Sequence, residues 1–477
     1  MKLVDFFKNR GYDITDIINY HNQDNDYLSW YKGFVDKFHR YYVYNGERQI
    51  FKNRHSLNMP KKICENFADF LMNERVQITL GADEHTKELN DLLDNNNFWV
   101  KANQGIEKTF AFGTGCFLLA LDTELKIKIQ FINAYNMYPL TYNSDSIKEC
   151  AFVDDLTKYN AETNKFEKVR DLQVHTLENG EYVIRNYRFL VGQGDNLTEI
   201  PVTSYGDNIS PEIHTGYPFR WFIPIKPNVI NNFNLDSPFG VPIYANSLDL
   251  IKSLDLTFDS FVNEIQNGRK RLFVTQEAMK VGGDGNFKNA FDPQDVLFYI
   301  LDSNFSENKA NYVQEVNGQL RIEELKKAIQ TNLDLLSMKL GLGDQYFKFE
   351  GGSVAKTATE VISENSDLFR TIKKHEQVLE NALRELITNI LKIAKDKKIF
   401  NFSDEIINID FDDSIIESKE QDRLQDRQDM AIDVLSRVDY RMKWYGEDEK
   451  TARAKISEID NEKAENSSIN FIDGEIN

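Results

Sequence analysis

The chain has 477 residues and carries 57 Lys and Arg against 76 Asp and Glu, a formal net charge of −19 that excludes coating of nucleic acid by bulk charge while allowing local cationic contacts. With 41% hydrophobic residues, among them 33 Phe and 21 Tyr, it holds enough bulky apolar material for a real core, which excludes wholesale disorder. Cys64, Cys116 and Cys150 lie far apart without a CxxC pair, which argues against a disulfide scaffold or zinc ribbon and for a reducing compartment.

Residues 1–57 read as short helices and loops. Pro60 suits an early helical position, and Ile63, Phe67, Phe70 and Leu71 recur at helical spacing, predicting a helix over 58–73. Shorter helical stretches follow over 87–98 and 104–111, the second ended by Gly113, Thr114 and Gly115. The period then changes to two. Strands are expected over 116–121 and over 126–131, where Ile127, Ile129 and Phe131 alternate with Lys126, Lys128 and Gln130. Runs over 172–177 and 182–190 flank Glu178, Asn179 and Gly180, a hairpin signal. The region from about 115 to about 225 is thus mainly β, with Pro218, Pro224 and Pro227 marking its passage into a loop.

Over 247–267 the pattern is helical again, with Leu248, Ile251, Leu254, Phe258, Phe261 and Ile265 forming one apolar stripe. Ser247 is placed to cap the start, Gly268 to take a left-handed C-terminal position, and Arg269, Lys270 and Arg271 to sit at the negative dipole end. Residues 271–317 form a compact insert, with apolar pieces over 272–274 and 296–301 around Gly282, Gly283, Asp284 and Asn286. A second striped helix starts near Arg321, carries Ile322, Leu325, Ile329, Leu333, Leu336 and Leu340, and stops at Gly341 to Gly343. A loop over 344–357 contains Gly351 and Gly352, and the longest helix runs over 358–398, its apolar face marked by Leu379, Leu383, Leu386, Ile390 and Ile393. A strand over 406–411, an acidic helix over 416–443 and a polar tail from Gly446, its last turn mobile, complete the pattern. No segment reaches the ~18 apolar residues of a membrane span and the N-terminus has no signal-peptide core, so no membrane partner is expected.

No catalytic constellation emerges. Residues 350–357 resemble a phosphate-cradling loop at Lys356 and Thr357, but Ala355 stands where the second glycine belongs and Glu350 replaces the first, so a flexible glycine loop with a basic tip is favoured. Asp410 and Asp412 alternate on a strand and could converge for two-metal chemistry, yet no further ligand can be assigned, and a solvated strand end is favoured. The seven histidines show no metal or triad spacing. Asp24 to Asp26 and the 282–286 segment are fragments of calcium loops without the register, and read as turns. Trp30, Tyr31, Tyr41, Tyr42 and Tyr44 could stack bases, but a core or interface patch is favoured. No metal and no cofactor are expected.

What remains is a layout: two amphipathic helices bracketing a compact insert, then a glycine-rich loop, then a longer helix. It resembles the portal protein of tailed bacteriophages, in the form found in siphophages of Gram-positive hosts. The resemblance rests on Trp30 to Gly33, Asn53 to Met59 before a helix with Glu65, Asn73 and Glu74, and Phe112 to Gly115 leading into strands that end at Tyr138 and Pro139. It continues through Ile225 to Asn228, Asn231 and Asn232, Ser237 to Gly240, Asp255 and Glu264, Gly341 to Gly343, Lys356 to Glu360, and Lys374 to Glu376. Their order and spacing span roughly residues 30–415, and the last sixty or so residues match nothing.

The resemblance implies an α+β, ring-forming portal fold with a β-rich wing, a two-helix stem, a small α/β clip insert, a long kinked helix and a helical crown. Laid onto this chain, the wing covers 1–237, the stem helices 238–268 and 319–343, the clip 269–318, the channel loop 344–357, the long helix and a returning wing strand 358–415, and the crown with its acidic tail 416–477. It further implies a ring, typically of twelve copies, at one capsid vertex of the virion, assembled in the host cytoplasm. Such a ring is a conduit for double-stranded DNA in packaging and ejection, with a terminase motor, capsid and scaffolding proteins and a tail adaptor as partners and no catalysis of its own. Lys348, Gly351, Gly352, Ser353, Lys356 and Thr357 then fall in the channel loop. Leu254, Phe258, Phe261, Ile265, Leu325, Ile329 and Leu336 fall in stem packing, and Gly282, Gly283, Asp284 and Asn286 face the motor or adaptor. The alternatives are a non-portal virion adaptor or capsid protein, and a nucleic-acid-processing enzyme using Asp410 and Asp412 or the Lys356 loop.

Overall fold

The computed structural model describes the chain apart from residues 45–47, 73–75, 123, 144–145, 161–162, 269–270, 276–297, 302–312, 317–318, 344, 350–357, 400–405, 412–418, 433 and 473–477. Its contacts divide it into two units, one of residues 1–354 and 366–410, the other of residues 355–365 and 411–477.

The first unit opens with α1 (Leu3–Lys8), α2 (Thr15–Tyr31) and α3 (Asp36–His39), followed by a two-stranded ribbon of β1 (Arg40–Tyr44) and β2 (Gln49–Asn53). The expected short helices therefore give way to a 17-residue α2, and Asp24 to Asp26 lie inside it, not in a turn. Helix α4 (Met59–Met72) follows the expected register closely, burying Ile63, Phe67 and Leu71. After β3 (Gln77–Thr79), helices α5 (Asp83–Asn95) and α6 (Phe98–Phe112) both start earlier than their apolar spacing suggests.

The β region forms two sheets. In one, β12 (Phe222–Ile225), β4 (Gly115–Leu121) and β5 (Ile127–Asn133) lie antiparallel in that order. In the other, β10 (Leu197–Ile200), β9 (Glu181–Val191), β8 (Lys165–Glu178), β7 (Ile147–Asn160) and β6 (Met137–Tyr142) run as a meander, with β11 (Glu212–His214) also pairing β9. The hairpin predicted at Asn179 and Gly180 joins β8 to β9: both residues take positive φ, 51° and 88°, the left-handed pair that matches strand twist, and Glu178 opposes Glu181. Phe6 and Phe7 of α1, Ile14 just before α2 and Ile17 within it are buried in one core with Leu172 and Phe189 of this sheet and Phe222 of β12.

Helix α7 (Leu248–Asn267) packs along α8 (Ile322–Lys339). Between them β13 (Arg271–Thr275) pairs in parallel with β14 (Phe298–Leu301) and antiparallel with β15 (Val313–Val316). Any helical part of the insert, and the Gly282–Asn286 segment, lie outside the described residues. The 39-residue α9 (Ala358–Asp396), whose first turns are counted with the second unit, and β16 (Asn408–Asp410), which returns to pair β3, follow. Two capping expectations are corrected. Ser247 makes no side-chain cap bond, and Gly268 has φ −78°, not a left-handed value. Its need for glycine is steric instead, since a Cβ there would come within 1.8 Å of Leu320 Cδ2.

In the second unit the single helix expected over 416–443 is two, α10 (Lys419–Ala431) and α11 (Arg437–Tyr445), and the polar tail forms α12 (Glu449–Ile472). Apolar burial is sparse among its described residues, so polar contacts hold them: Arg423 and Arg427 both donate to the Tyr440 hydroxyl at 3.1 Å, and Trp444 Nε1 donates to Asp426 at 2.7 Å.

Candidate functional site

The α7–α8 pair is the centre of interest, because the glycine-rich loop follows directly from it. Of its predicted apolar stripe, Leu254, Ile329 and Leu336 are fully buried, Phe258, Phe261 and Leu325 half-buried, and Ile265 is 48% exposed. The stripe is therefore sealed at the end near the sheets and opens toward the insert. Polar rungs join the helices on another side, with Ser253 Oγ donating to Asn332 Oδ1 at 3.1 Å.

Two carboxylates interrupt the stripe. Asp255 and Asp259, one helical turn apart, are buried on one face of α7. Asp255 accepts from Ser56 Oγ at 2.9 Å and from the Leu57 amide at 3.0 Å. It also accepts from His39 Nε2 at 3.2 Å, whose other ring nitrogen receives the Val35 amide at 2.8 Å, so the proton sits on Nε2. Asp259 accepts from the His55 amide at 3.0 Å, from His55 Nδ1 at 2.9 Å and from Tyr41 at 3.3 Å. The stretch from Asn53 to Met59 is thereby moored to the helix carrying Asp255. Burying an anion is costly unless donors surround it, and here they do. Asp259 was missed from sequence, although two acids spaced by four inside an apolar stripe are a legible signal.

Two further groups of motif residues meet in space. Gly113 and Gly240 pack backbone to backbone: a Cβ on Gly240 would reach Gly113 O at 2.4 Å, and Gly240 N donates to Thr114 Oγ1 at 3.0 Å. Asn228 donates its amide to His375 Nδ1 at 3.1 Å and its side-chain NH₂ to Lys374 O at 2.7 Å. His375 meets the stacked rings of Phe67 and Phe110 edge-on, and burial lowers its pKa to about 4.

The approach to the loop is held rigidly. Gln330 on α8 donates to Phe347 O at 3.0 Å and accepts from Phe349 N at 2.8 Å, bonding the backbone as a neighbouring strand would. Phe347 N donates to Ser337 Oγ at 3.2 Å, and Phe349 meets Phe261 edge-on. Lys348, between these anchors, is exposed. Gly351, Gly352, Ser353, Lys356 and Thr357 lie outside the described residues, as do Gly282, Gly283, Asp284 and Asn286. At the insert end, Arg321 donates to Glu264 from its amide at 3.2 Å and from Nη2 at 3.0 Å, tying the end of α7 to the start of α8.

Asp410 is exposed on β16 opposite Gln77, and Asp412 lies outside the described residues. Cys64, Cys116 and Cys150 are buried free thiols. Among the described residues no helix is long and apolar enough to cross a membrane.

A search of curated proteins gives no match. A chain of a solved structure described as the neck of a native GTA particle computed with C12 symmetry is 10% identical, with TM-score 0.40, covering 80% of this chain and 88% of that one. A family sequence model described as "Phage portal protein, SPP1 Gp6-like" matches residues 8–467, nearly the whole length. The chain belongs to the SPP1 Gp6-like family of phage portal proteins, the head-to-tail connectors of bacteriophages.

Proposed function

We propose that this chain forms a ring, of twelve copies, at one capsid vertex, through which double-stranded DNA enters during packaging and leaves at ejection. The family match over residues 8–467 carries this reading. In it, residues 238–268 and 319–343 are the stem, 269–318 the clip that meets a terminase motor and later a tail adaptor, 344–357 the channel loop, 358–415 the long helix with its returning strand, and 416–477 the crown. Capsid and scaffolding proteins are the remaining partners, and the protein travels from host cytoplasm to virion without catalysis of its own.

Charge supports a conduit. Each phosphate gripped by Lys or Arg adds binding and resists sliding, whereas a chain of net charge −19 favours a wall that repels DNA. Lys348 and Lys356 are the few cations proposed to touch it. The Gln330 clamp favours the same role, since a loop rooted on a rigid helix can press on a moving duplex without being dragged along.

Imaging of purified particles tests the proposal: a ring with an axial opening that admits a duplex supports it, and monomers or dimers over a wide concentration range overturn it. Lys356→Glu is expected to leave assembly intact and to change packaging or retention of DNA; unchanged packaging removes the loop from the mechanism. Metal- or ATP-dependent turnover abolished by Asp412→Ala or Lys356→Ala would instead establish the enzyme reading.

A further inference from the structure

Strand β11 is a short strap. Among the described residues it pairs only with β9, over three residue pairs, so its ladder alone holds it weakly. The chain before it is tied down separately. Arg188, 1% exposed, donates to Ser204 O at 2.7 Å and to Asp207 at 2.6 Å, and Asn186 donates its side-chain NH₂ to Ser210 O at 2.8 Å. Residues 210 and 213 of the strap line a cleft of about 660 Å³ between the two sheets, whose other walls include Leu118, Gln130, Asp154 and Gln173.

The far end of the strap is held by His214. Its Nδ1 lies 2.8 Å from a Glu181 oxygen on β9, and its Nε2 lies 2.9 Å from a Glu212 oxygen on β11 itself. An ionised carboxylate can only accept, so both contacts are hydrogen bonds only when both ring nitrogens carry a proton. The geometry is therefore that of an imidazolium. Glu181 also accepts from the Gly216 amide at 3.0 Å, and the Thr215 amide donates to Tyr182 O at 3.1 Å, which draws residues 214–216 onto the start of β9. The other charged groups at this corner are Arg185 of β9 and Glu178 of β8. Arg185 donates to Glu178 at 2.9 Å and to Glu212 at 2.9 Å. Three carboxylates thus face one guanidinium and one imidazole, and only a charged His214 brings the corner near balance.

We infer that His214 is a proton-operated fastener: charged, it rivets β11 to β9, and neutral, it lets the end of the strap lift from the wall of the cleft. Its hydrogen bonds to Glu181 and Glu212 raise its pKa above the usual 6.5. Fastening is therefore complete below about pH 6.5 and is lost as pH rises through the raised value. At the acid end, hydrogen bonding from Arg185 lowers the Glu212 pKa, so that carboxylate stays charged well into acid. The effect is local, because the His214 side chain is 60% exposed and the Arg188 end of the strap keeps its own ties.

Hydrogen exchange at the Thr215 and Gly216 amides of the full chain, expressed as protection relative to the unstructured rate at each pH, tests this. Between pH 6.5 and 9 their protection is expected to fall about threefold, the size suited to an exposed ion pair, while amides within the β7–β8 ladder keep theirs. His214→Gln is expected to give low protection at every pH in this range. His214→Lys, charged throughout, is expected to hold the pH 6.5 level of the native chain up to pH 9. A flat profile in the native chain overturns the inference, and so does a fall that persists unchanged in His214→Gln. Equal losses in the β7–β8 ladder overturn it too, by making the change global.

Discussion

Asp255 is 1% exposed and receives three hydrogen bonds, so its removal strands donors that water cannot reach. Asp255→Ala is expected to destabilise the unassembled chain by about 3 kcal/mol, read from the urea midpoint, with Asp255→Asn recovering part of the loss; a shift below about 1 kcal/mol would mean the loop holds without it. Buried histidines set a pH dependence. Burial lowers the pKa of His375 to about 4, that of His21 to about 4 and that of His175 to about 3. The folded chain refuses protons that the unfolded chain accepts from about pH 6.5 downward. Stability is therefore complete above that pH and is lost as pH falls toward about 4. His375→Gln, which can still accept from Asn228, is expected to make the urea midpoint fall less steeply over this window. An identical slope would assign the loss to other groups. None of these contacts is visible in a string of letters, because Asp255 and Ser56, or Asn228 and His375, are far apart in sequence and meet only once the sheets are formed.

At the level of elements, α7 and α8 were legible because an apolar stripe every three or four residues has one helical solution. Helix α2 was not: Asn19, Asn22, Asp24, Asn25 and Asp26 dilute any stripe, and the helix is held by packing of Ile17 and Trp30, not by periodicity. Caps were misjudged for a related reason, since Ser247 and Gly268 match terminal preferences, yet Ser247 makes no cap bond and Gly268 answers to Leu320. The stripe itself predicts unequal costs along its length. Ile329→Ala, at 0% exposure, is expected to cost about 2–4 kcal/mol in the unassembled chain, whereas Ile265→Ala, half exposed, is expected to cost less than about 1 kcal/mol. Equal losses in urea unfolding would mean that the described packing of the pair is wrong. Gln330→Ala is expected to release the segment before the loop, read as faster hydrogen exchange at the Phe349 amide with that of Phe347 less affected, because Ser337 still holds the latter.

For the molecule as a whole, the division into two units makes a prediction of its own. Deletion of residues 411–477 is expected to leave the thermal midpoint of the remaining chain within about 2 °C of the full-length value; a larger fall would show that the units share their core. The family could be read from sequence because its motif residues serve one another: the loop before α4 serves α7, one glycine turn serves another, and Asn228 serves α9. The assignment of residues 344–357 to a channel loop and of 269–318 to a clip is a proposal carried by the resemblance alone, as neither hydrophobic pattern nor ligand spacing marks these residues. One contact has a bearing beyond stability. Arg321 and Glu264 join the two chain crossings at the base of the insert, and Leu320 fills the place where a side chain on Gly268 would stand. The described ends of the body on either side of the 269–318 segment are thus stapled to each other, like the two lips of a socket. With that staple in place, a change in the length or sequence of the insert is expected to leave the frame that holds it in shape.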